Sequence, residues 1–370
     1  MLENTLIGLV VKNGIEMPND VAMREKRYGV WSPMTWRELQ QKVQHFALGL
    51  RALGFEKGNS LAIIGDNKPE WVIAELGCMA ADGLPTGAYP DSLAEEMEYM
   101  ISYSEARFLV VRDQEQVDKI LVIWDKIKVN IEKVIVWDSR GMSHYYAGHP
   151  FLERFENVLA LGAAEEHSQK DYLSKKARKI DPCRPAMMLT TSGTTGLPKL
   201  SMLSHENLIF ACESFGQVVK MEKGDEILSA APLSWIGEQM FNVVRFLKVG
   251  AHYNFPEETE TLRKDLLELQ PFHFGGTPVV WEFIISTIQA AMDNADFVKR
   301  YFYNLAIRSA LKVTEAELSG EFPGPWNRLL YRILNFLVLR PLKNKVGLGR
   351  VKVAITGGGA NSPEVFKYFK

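Results

Sequence analysis

Residues 191 to 199 read Thr191-Ser192-Gly193-Thr194-Thr195-Gly196-Leu197-Pro198-Lys199. This run holds two glycines, four hydroxyl side chains and a lysine, the groups needed to hold a polyphosphate. Glycine lets the backbone aim N–H groups at an anion without steric cost. The hydroxyls of Thr191, Ser192, Thr194 and Thr195 are short, adjustable donors, and Lys199 supplies a point charge. The apolar stretch Ala186–Thr190 reads as a buried strand leading in. Ser204 reads as the cap of a helix starting at His205, whose N-terminus would favour anions further. The glycine spacing matches neither the Walker-type phosphate loop nor the dinucleotide turn. A plain Ser/Thr/Gly surface loop would rarely combine all these features, so a phosphate-binding loop is expected.

Other residues could line a site. Trp235 offers a large flat apolar wall, or core packing. Glu238 reads either as a buried polar anchor or as a helix-face charge. His205, in a first helical turn, reads as a structural group rather than a proton carrier. Further on, Val351–Thr356 reads as a strand and Gly357-Gly358-Gly359-Ala360 as a turn. Ser362-Pro363-Glu364 then opens a helix with a cap, a first-position proline and an early acid. Small residues between strand and helix let a flat ligand lie against backbone.

The elements that must position these residues alternate in period. Thr35-Trp36-Arg37-Glu38 has capping-box spacing, opening a helix towards Leu53. Leu61–Ile64, Arg107–Val111 and Lys133–Trp137 read as short strands. Pro69 suits the first turn of a helix through Cys78. Gly83–Pro90 reads as turn-rich, Ser92 as the cap of a helix through Met100, and residues 138–180 as an irregular surface excursion. Strands separated by helices predict an α/β fold of layered, mostly parallel sheets flanked by helices. The proline-flanked stretch near 182–185 suggests subdomains 1–182 and 183–370.

Composition narrows the class. Apolar residues make up 46% and charged residues 24%, which suits a globular chain with a large core. A net charge of -2 shows none of the basic excess of a nucleic-acid binder, so no nucleic acid is expected as partner. Cys78, Cys183 and Cys212 lack metal-ligand spacing and fit a reducing compartment, hence a cytoplasmic protein. No signal peptide is expected at Met1-Leu2-Glu3-Asn4. No window reaches the ~18 apolar residues of a membrane span. Trp326–Leu339, apolar but carrying Arg328 and Arg332, has two readings: a helix packed on the protein with its arginines in solvent, which is favoured, or one lying at a membrane surface.

The loop, followed by Met202-Leu203-Ser204-His205-Glu206-Asn207-Leu208, resembles the signature of the acyl-adenylate-forming (AMP-binding) enzymes. The chain is most similar to bacterial long-chain fatty acyl-CoA synthetases. Ile64-Gly65-Asp66-Asn67-Lys68-Pro69-Glu70-Trp71, Ala231-Pro232-Leu233-Ser234-Trp235-Ile236-Gly237-Glu238-Gln239-Met240 and Gly357-Gly358-Gly359-Ala360 carry the resemblance. It implies ATP-dependent activation of a long-chain fatty acid to acyl-adenylate and then acyl-CoA, with ATP, Mg2+ and coenzyme A. Thr191, Ser192, Gly193, Thr194, Thr195, Gly196 and Lys199 would bind ATP, with Thr191 also at the metal. Trp235, Gly358, Gly359 and Ala360 would border the adenine and acyl sites. The family has glycine after the loop lysine; here Leu200 stands there, either weakening nucleotide binding or simply joining the next strand. The family's catalytic lysine and a C-terminal lid domain would lie past Lys370. The 370 residues alone are therefore expected to have little ligase activity, to leave an open sheet edge and to be marginal or to associate. A non-enzymatic homologue that binds nucleotide or acyl chains, and a ligase for another acid, are the alternatives.

Overall fold

The computed structural model describes residues 2–191 and 198–370. The chain divides into two compact units, Met1–Gly224 with Ala231–Thr259, and Asp225–Ala230 with Glu260–Lys370. The proline-flanked stretch at 182–185 thus lies within the first unit, where the strand that follows it joins the central sheet.

In chain order the strands of the first unit are β1 (Val21–Arg27), β2 (Val30–Thr35), β3 (Ser60–Ile64), β4 (Leu84–Ala88), β5 (Ala106–Val111), β6 (Lys133–Val136), β7 (Leu152–Arg154), β8 (Pro185–Thr191) and β9 (Lys199–Ser204). After β10 (Glu226–Leu228), which belongs to the second unit, comes β11 (His252–Phe255). Seven strands form one sheet in the order β7-β6-β5-β3-β4-β8-β9. Every neighbouring pair is parallel except β8 and β9, which make an antiparallel hairpin. β1 separately pairs parallel with β11 and antiparallel with β2. This is the expected α/β class.

The Trp36–Ala52 helix opens with the anticipated capping box: Thr35 Oγ accepts from the Glu38 N–H, and Glu38 accepts from the Thr35 N–H at 2.7 Å. On the Pro69–Ala80 helix every residue but Glu70 is buried. The helices Ala94–Tyr103 and Gln114–Ile127 pack Met97, Ile101, Val117 and Ile120 onto Leu109, Val111, Val134 and Val136 of the sheet. Three local expectations fail here. Ser92 does not cap; the helix begins at Ala94, and Glu96 accepts the Leu93 N–H at 2.9 Å. The stretch from Gly83 to Pro90 contains β4, paired on both sides with β3 and β8. Its proline and glycine lower local strand propensity, and burial between two strands overrides them.

The third is the supposed excursion at 138–180. It contains the Phe155–Glu166 helix, whose Phe155, Val158 and Gly162 are buried against the Trp36–Ala52 helix. A Cβ on Gly162 would lie 1.7 Å from the His45 carbonyl oxygen, and one on Gly49 would lie 2.0 Å from that of Val158. Two glycines therefore let two helix backbones touch, while Phe155 stacks on Phe46 at 4.8 Å. With so few apolar residues in contact, the helix leaves little hydrophobic periodicity to read.

In the second unit β10 and β13 (Val353–Thr356) flank β12 (His273–Gly276), all parallel. The long helices Pro278–Asp293, Phe297–Leu318 and Pro325–Leu334 belong to the same unit.

Candidate active site

Order in the seven-stranded sheet decides where a ligand can sit. From β3 the chain crosses to β4 on one side, then returns to β5 on the other. Such a reversal opens a crevice at the carboxyl ends of the strands, the usual ligand position in open parallel sheets. Three segments leave the sheet at this edge: Gly65-Asp66-Asn67 after β3, Tyr89 after β4, and the loop that starts at Thr191 after β8.

Ser192, Gly193, Thr194, Thr195 and Gly196 lie outside the described residues; the loop's two ends do not. Thr191 pairs with Lys199 across the hairpin, and the Thr191 hydroxyl donates to the Lys199 carbonyl at 3.3 Å. Tyr99, on the helix after β4, donates its hydroxyl to the Pro198 carbonyl at 2.9 Å. The Lys199 and Thr191 side chains are exposed, as charge and hydroxyl donors for an incoming anion must be. Leu200 is a regular member of β9 opposite Thr190, without positive φ, so it joins the next strand.

One supporting element is elsewhere. Ser204 does cap the His205–Val218 helix, accepting from the Asn207 N–H at 3.0 Å. But Ser204 pairs with Pro185, at the opposite end of the hairpin from Thr191. The length of β9 places that helix start about 17 Å from the loop at 3.3 Å per residue. A helix-end field fades within a turn, so this helix does not serve the loop. His205 is buried there and accepts the Leu6 N–H at Nδ1, 3.3 Å away. Burial first, and then Arg184, push its pKa down to about 4. It is a neutral structural group, as its position in the sequence suggested.

The Ala231–Met240 segment is fastened to the same sheet edge. Asn67 donates to the Ala231 carbonyl at 2.6 Å and accepts from the Leu233 N–H at 3.0 Å. Gly87 in β4 leaves no space for a side chain; a Cβ there would lie 2.8 Å from the Trp71 ring and 2.9 Å from Ser234 Cα. Trp235 is half-buried, its indole folded over Gly237, where a Cβ would approach the ring to 2.2 Å. Glu238 is a buried anchor: Tyr253 Oη–H donates to one carboxylate oxygen, and Asn242 to the other at 2.8 Å. A π-helical turn, Gln239–Val243, follows. Gln239 Nε2 donates to the Leu233 carbonyl at 2.8 Å and to Glu75 at 3.2 Å. Glu75 is wholly enclosed, and burial raises its pKa to about 8. It is thus a neutral acid at neutral pH, joined to this segment through Gln239.

Gly358, Gly359 and Ala360 lie in the second unit, exposed, just after β13. Gly358 has φ +82°, and a Cβ on Gly359 would meet only Pro278 at 3.6 Å, so backbone is open to a ligand. Ser362 caps the Pro363–Phe369 helix as expected. Asn361 Nδ2 braces the turn on Thr356 Oγ1 at 3.4 Å.

The implied Mg2+ finds a weak host. Among the described residues no group of three or more His, Cys, Asp or Glu side chains could hold a metal ion, and Thr191 offers a single hydroxyl oxygen already engaged with Lys199. Magnesium needs carboxylates or phosphate oxygens around it, so these residues do not make a magnesium site by themselves. A charged cavity of about 430 Å³ lies elsewhere in the first unit, lined by Lys68, Arg112, Glu257 and Glu258 among others. Its charges satisfy one another, as in Arg112 with Asp66 and Glu258, and it contains none of the residues above.

Residues 12–370 match the family model described as AMP-binding enzyme. The chain belongs to that family. Among similar proteins are the Long-chain-fatty-acid--CoA ligase ACSBG2 of Xenopus laevis, 27% identical over 94% of this chain and 47% of its own, and the Long-chain-fatty-acid--CoA ligase heimdall of Drosophila melanogaster, 28% identical over 92% of this chain and 50% of its own. This AMP-binding chain thus spans about half the length of the relatives it matches. Among solved structures, the adenylation domain of a carboxylate reductase from Mycobacterium chelonae aligns over 99% of this chain and 55% of its own, with a TM-score of 0.72 at 14% identity. A fatty acyl-adenylate ligase from L. pneumophila aligns over 99% of this chain and 52% of its own, with a TM-score of 0.64 at 13% identity. These two structural likenesses establish the adenylation-domain fold.

Sequence reading missed Tyr99, Asn67 and Glu75. Two left a signal: Asn67 lies in the Ile64–Trp71 stretch that carries the family resemblance, and Glu75 is the one carboxylate in an otherwise apolar helix, Trp71 to Ala80.

Proposed function

We propose that this chain supplies the phosphate-binding and acyl-binding portion of an ATP-dependent long-chain fatty acid–CoA ligase. In that reaction a carboxylate oxygen attacks the α-phosphorus of ATP, the bond to the β-phosphate oxygen breaks, and pyrophosphate leaves. The coenzyme A thiolate then attacks the acyl carbonyl and AMP departs. Such chemistry rests on positioning and on neutralising phosphate charge. Lys199 meets the phosphates, Tyr99 and the β8–β9 pairing hold the loop ends, and Trp235 walls the acyl chain. Any Mg2+ would have to come with the nucleotide, since the described residues do not make a site for it.

One observation carries the reading: the two ends of the Thr191–Lys199 loop and the Trp235 segment are fixed to the same carboxyl edge of one sheet, at its order reversal. Fatty acids are favoured as substrate by the chain-long similarity to ligases of that name. The experiment is equilibrium binding of ATP and of palmitate or benzoate to the 370-residue chain and to Lys199→Ala, with fatty-acid-dependent ATP–pyrophosphate exchange alongside. ATP affinity should fall about tenfold in Lys199→Ala, as for loss of one charged phosphate contact, and palmitate should bind better than benzoate. Unchanged ATP affinity would remove the loop from nucleotide binding; preference for benzoate would replace the fatty acid with an aryl acid.

A further inference from the structure

The Pro325–Leu334 helix, its π-helical continuation Asn335–Leu339 and the short α-helix Arg340–Lys345 run without a break in the second unit. One side packs inward: Leu334 and Leu339 are buried against Ala306 of the Phe297–Leu318 helix. The other side is open. Trp326 is 81% exposed, Phe336 65% and Leu337 64%, with Leu330 and Ile333 also exposed. Spacings of four, three and four from Trp326 through Leu330 and Ile333 to Leu337 make a continuous apolar stripe. The favoured expectation, a helix packed on the protein with its arginines in solvent, is met, and a second apolar side is left open. Within the segment itself charge has a single sign. From Phe322 to Lys345 the chain carries Arg328, Arg332, Arg340, Lys343 and Lys345 and no carboxylate, all five exposed.

We propose that this face docks on an anionic lipid surface, lying in the plane of the interface. A basic amphipathic helix with tryptophan on its apolar side is suited to that position. Lysine and arginine stems reach past apolar surface to headgroup phosphates. No helix among the described residues is long and apolar enough to cross a membrane, and the contact proposed for this face is an interfacial one. A second copy fits less well: a self-complementary contact would bring this basic cluster against itself.

The test is co-sedimentation of the 370-residue chain with vesicles of phosphatidylcholine plus phosphatidylglycerol, and of phosphatidylcholine alone, at low and high salt, with light scattering on the protein alone. Two double variants accompany it, Trp326→Ser with Ile333→Ser, and Arg340→Glu with Lys343→Glu; all four positions are exposed or nearly so, and unchanged circular dichroism checks folding. The wild type should prefer the anionic vesicles at least about tenfold, a preference that salt reduces. The apolar variant should bind neither vesicle, and the charge variant should lose the anionic preference. Equal vesicle binding by all three proteins, or none by the wild type, overturns the proposal. So does a wild-type dimer that the apolar variant dissolves while vesicle binding is absent, since the face would then belong to a second copy.

Discussion

Replacing Glu75 with glutamine should make the protein more stable at neutral pH and leave it unchanged in mild acid. Glu75 is fully enclosed, and burial lifts its pKa from 4.5 to about 8. Between these values the unfolded chain ionises this carboxyl while the folded chain keeps it protonated. The folded state then binds the extra proton, so stability is whole below the unfolded pKa and is lost as pH rises towards the folded one. Each pH unit in that window costs about 1.4 kcal/mol. Between about pH 5.5 and about pH 7.5 this single group should therefore cost wild type roughly 2 to 3 kcal/mol that Glu75→Gln does not lose. Glutamine suits the site: Gln239 already donates to this position, and its buried Oε1 has no partner in the structure and can accept the new amide. Urea denaturation of both proteins across this range is the assay. Other titrating groups are shared and cancel in the difference. Parallel stability–pH curves for the two proteins would refute the argument, because Glu75 would then titrate alike in the folded and unfolded chains.

Other consequences are as direct. Gly162→Ala should destabilise by at least about 1–3 kcal/mol, seen as a lower thermal midpoint, since its methyl would meet the His45 backbone rather than a movable side-chain end. Tyr99→Phe should weaken ATP binding about fivefold, the worth of one neutral hydrogen bond, with an unchanged thermal midpoint; an unaltered Kd would show that the Pro198 anchor does not matter to the loop. Gly237→Ala should drive the Trp235 indole off its present seat, read as a shifted tryptophan emission and weaker palmitate binding while ATP binding holds.

Much of this was legible in residue order. The capping box at Thr35, the strands β3, β5 and β6, the proline-started helix at Pro69 and the capped helix after Ser362 all rest on local chemistry, and all appear where expected. What was not legible depends on partners distant in sequence. β4 is a strand because β3 and β8 flank it, against its own proline and glycine. The Phe155–Glu166 helix packs through a glycine contact that carries no hydrophobic stripe. Ser204 was correctly read as a cap, but only the hairpin register shows that it faces away from the loop. Tyr99 and Asn67 act on carbonyls about a hundred or more residues away, and no spacing rule reaches that far.

The Asn67 clamp has a consequence for how such a scaffold can change its substrate. Both of its hydrogen bonds to the Ala231–Leu233 stretch go to backbone groups, so they hold the segment whatever side chains it bears. The position of the wall is set by the sheet, and its chemistry by residues that the clamp never touches. If Trp235 lines an acyl site, as proposed above, exchange of Trp235 or Ile236 alters which acid fits without moving the segment that carries them. On that proposed reading, the frame separates the choice of acid from the handling of ATP, which lets one be diversified while the other is kept.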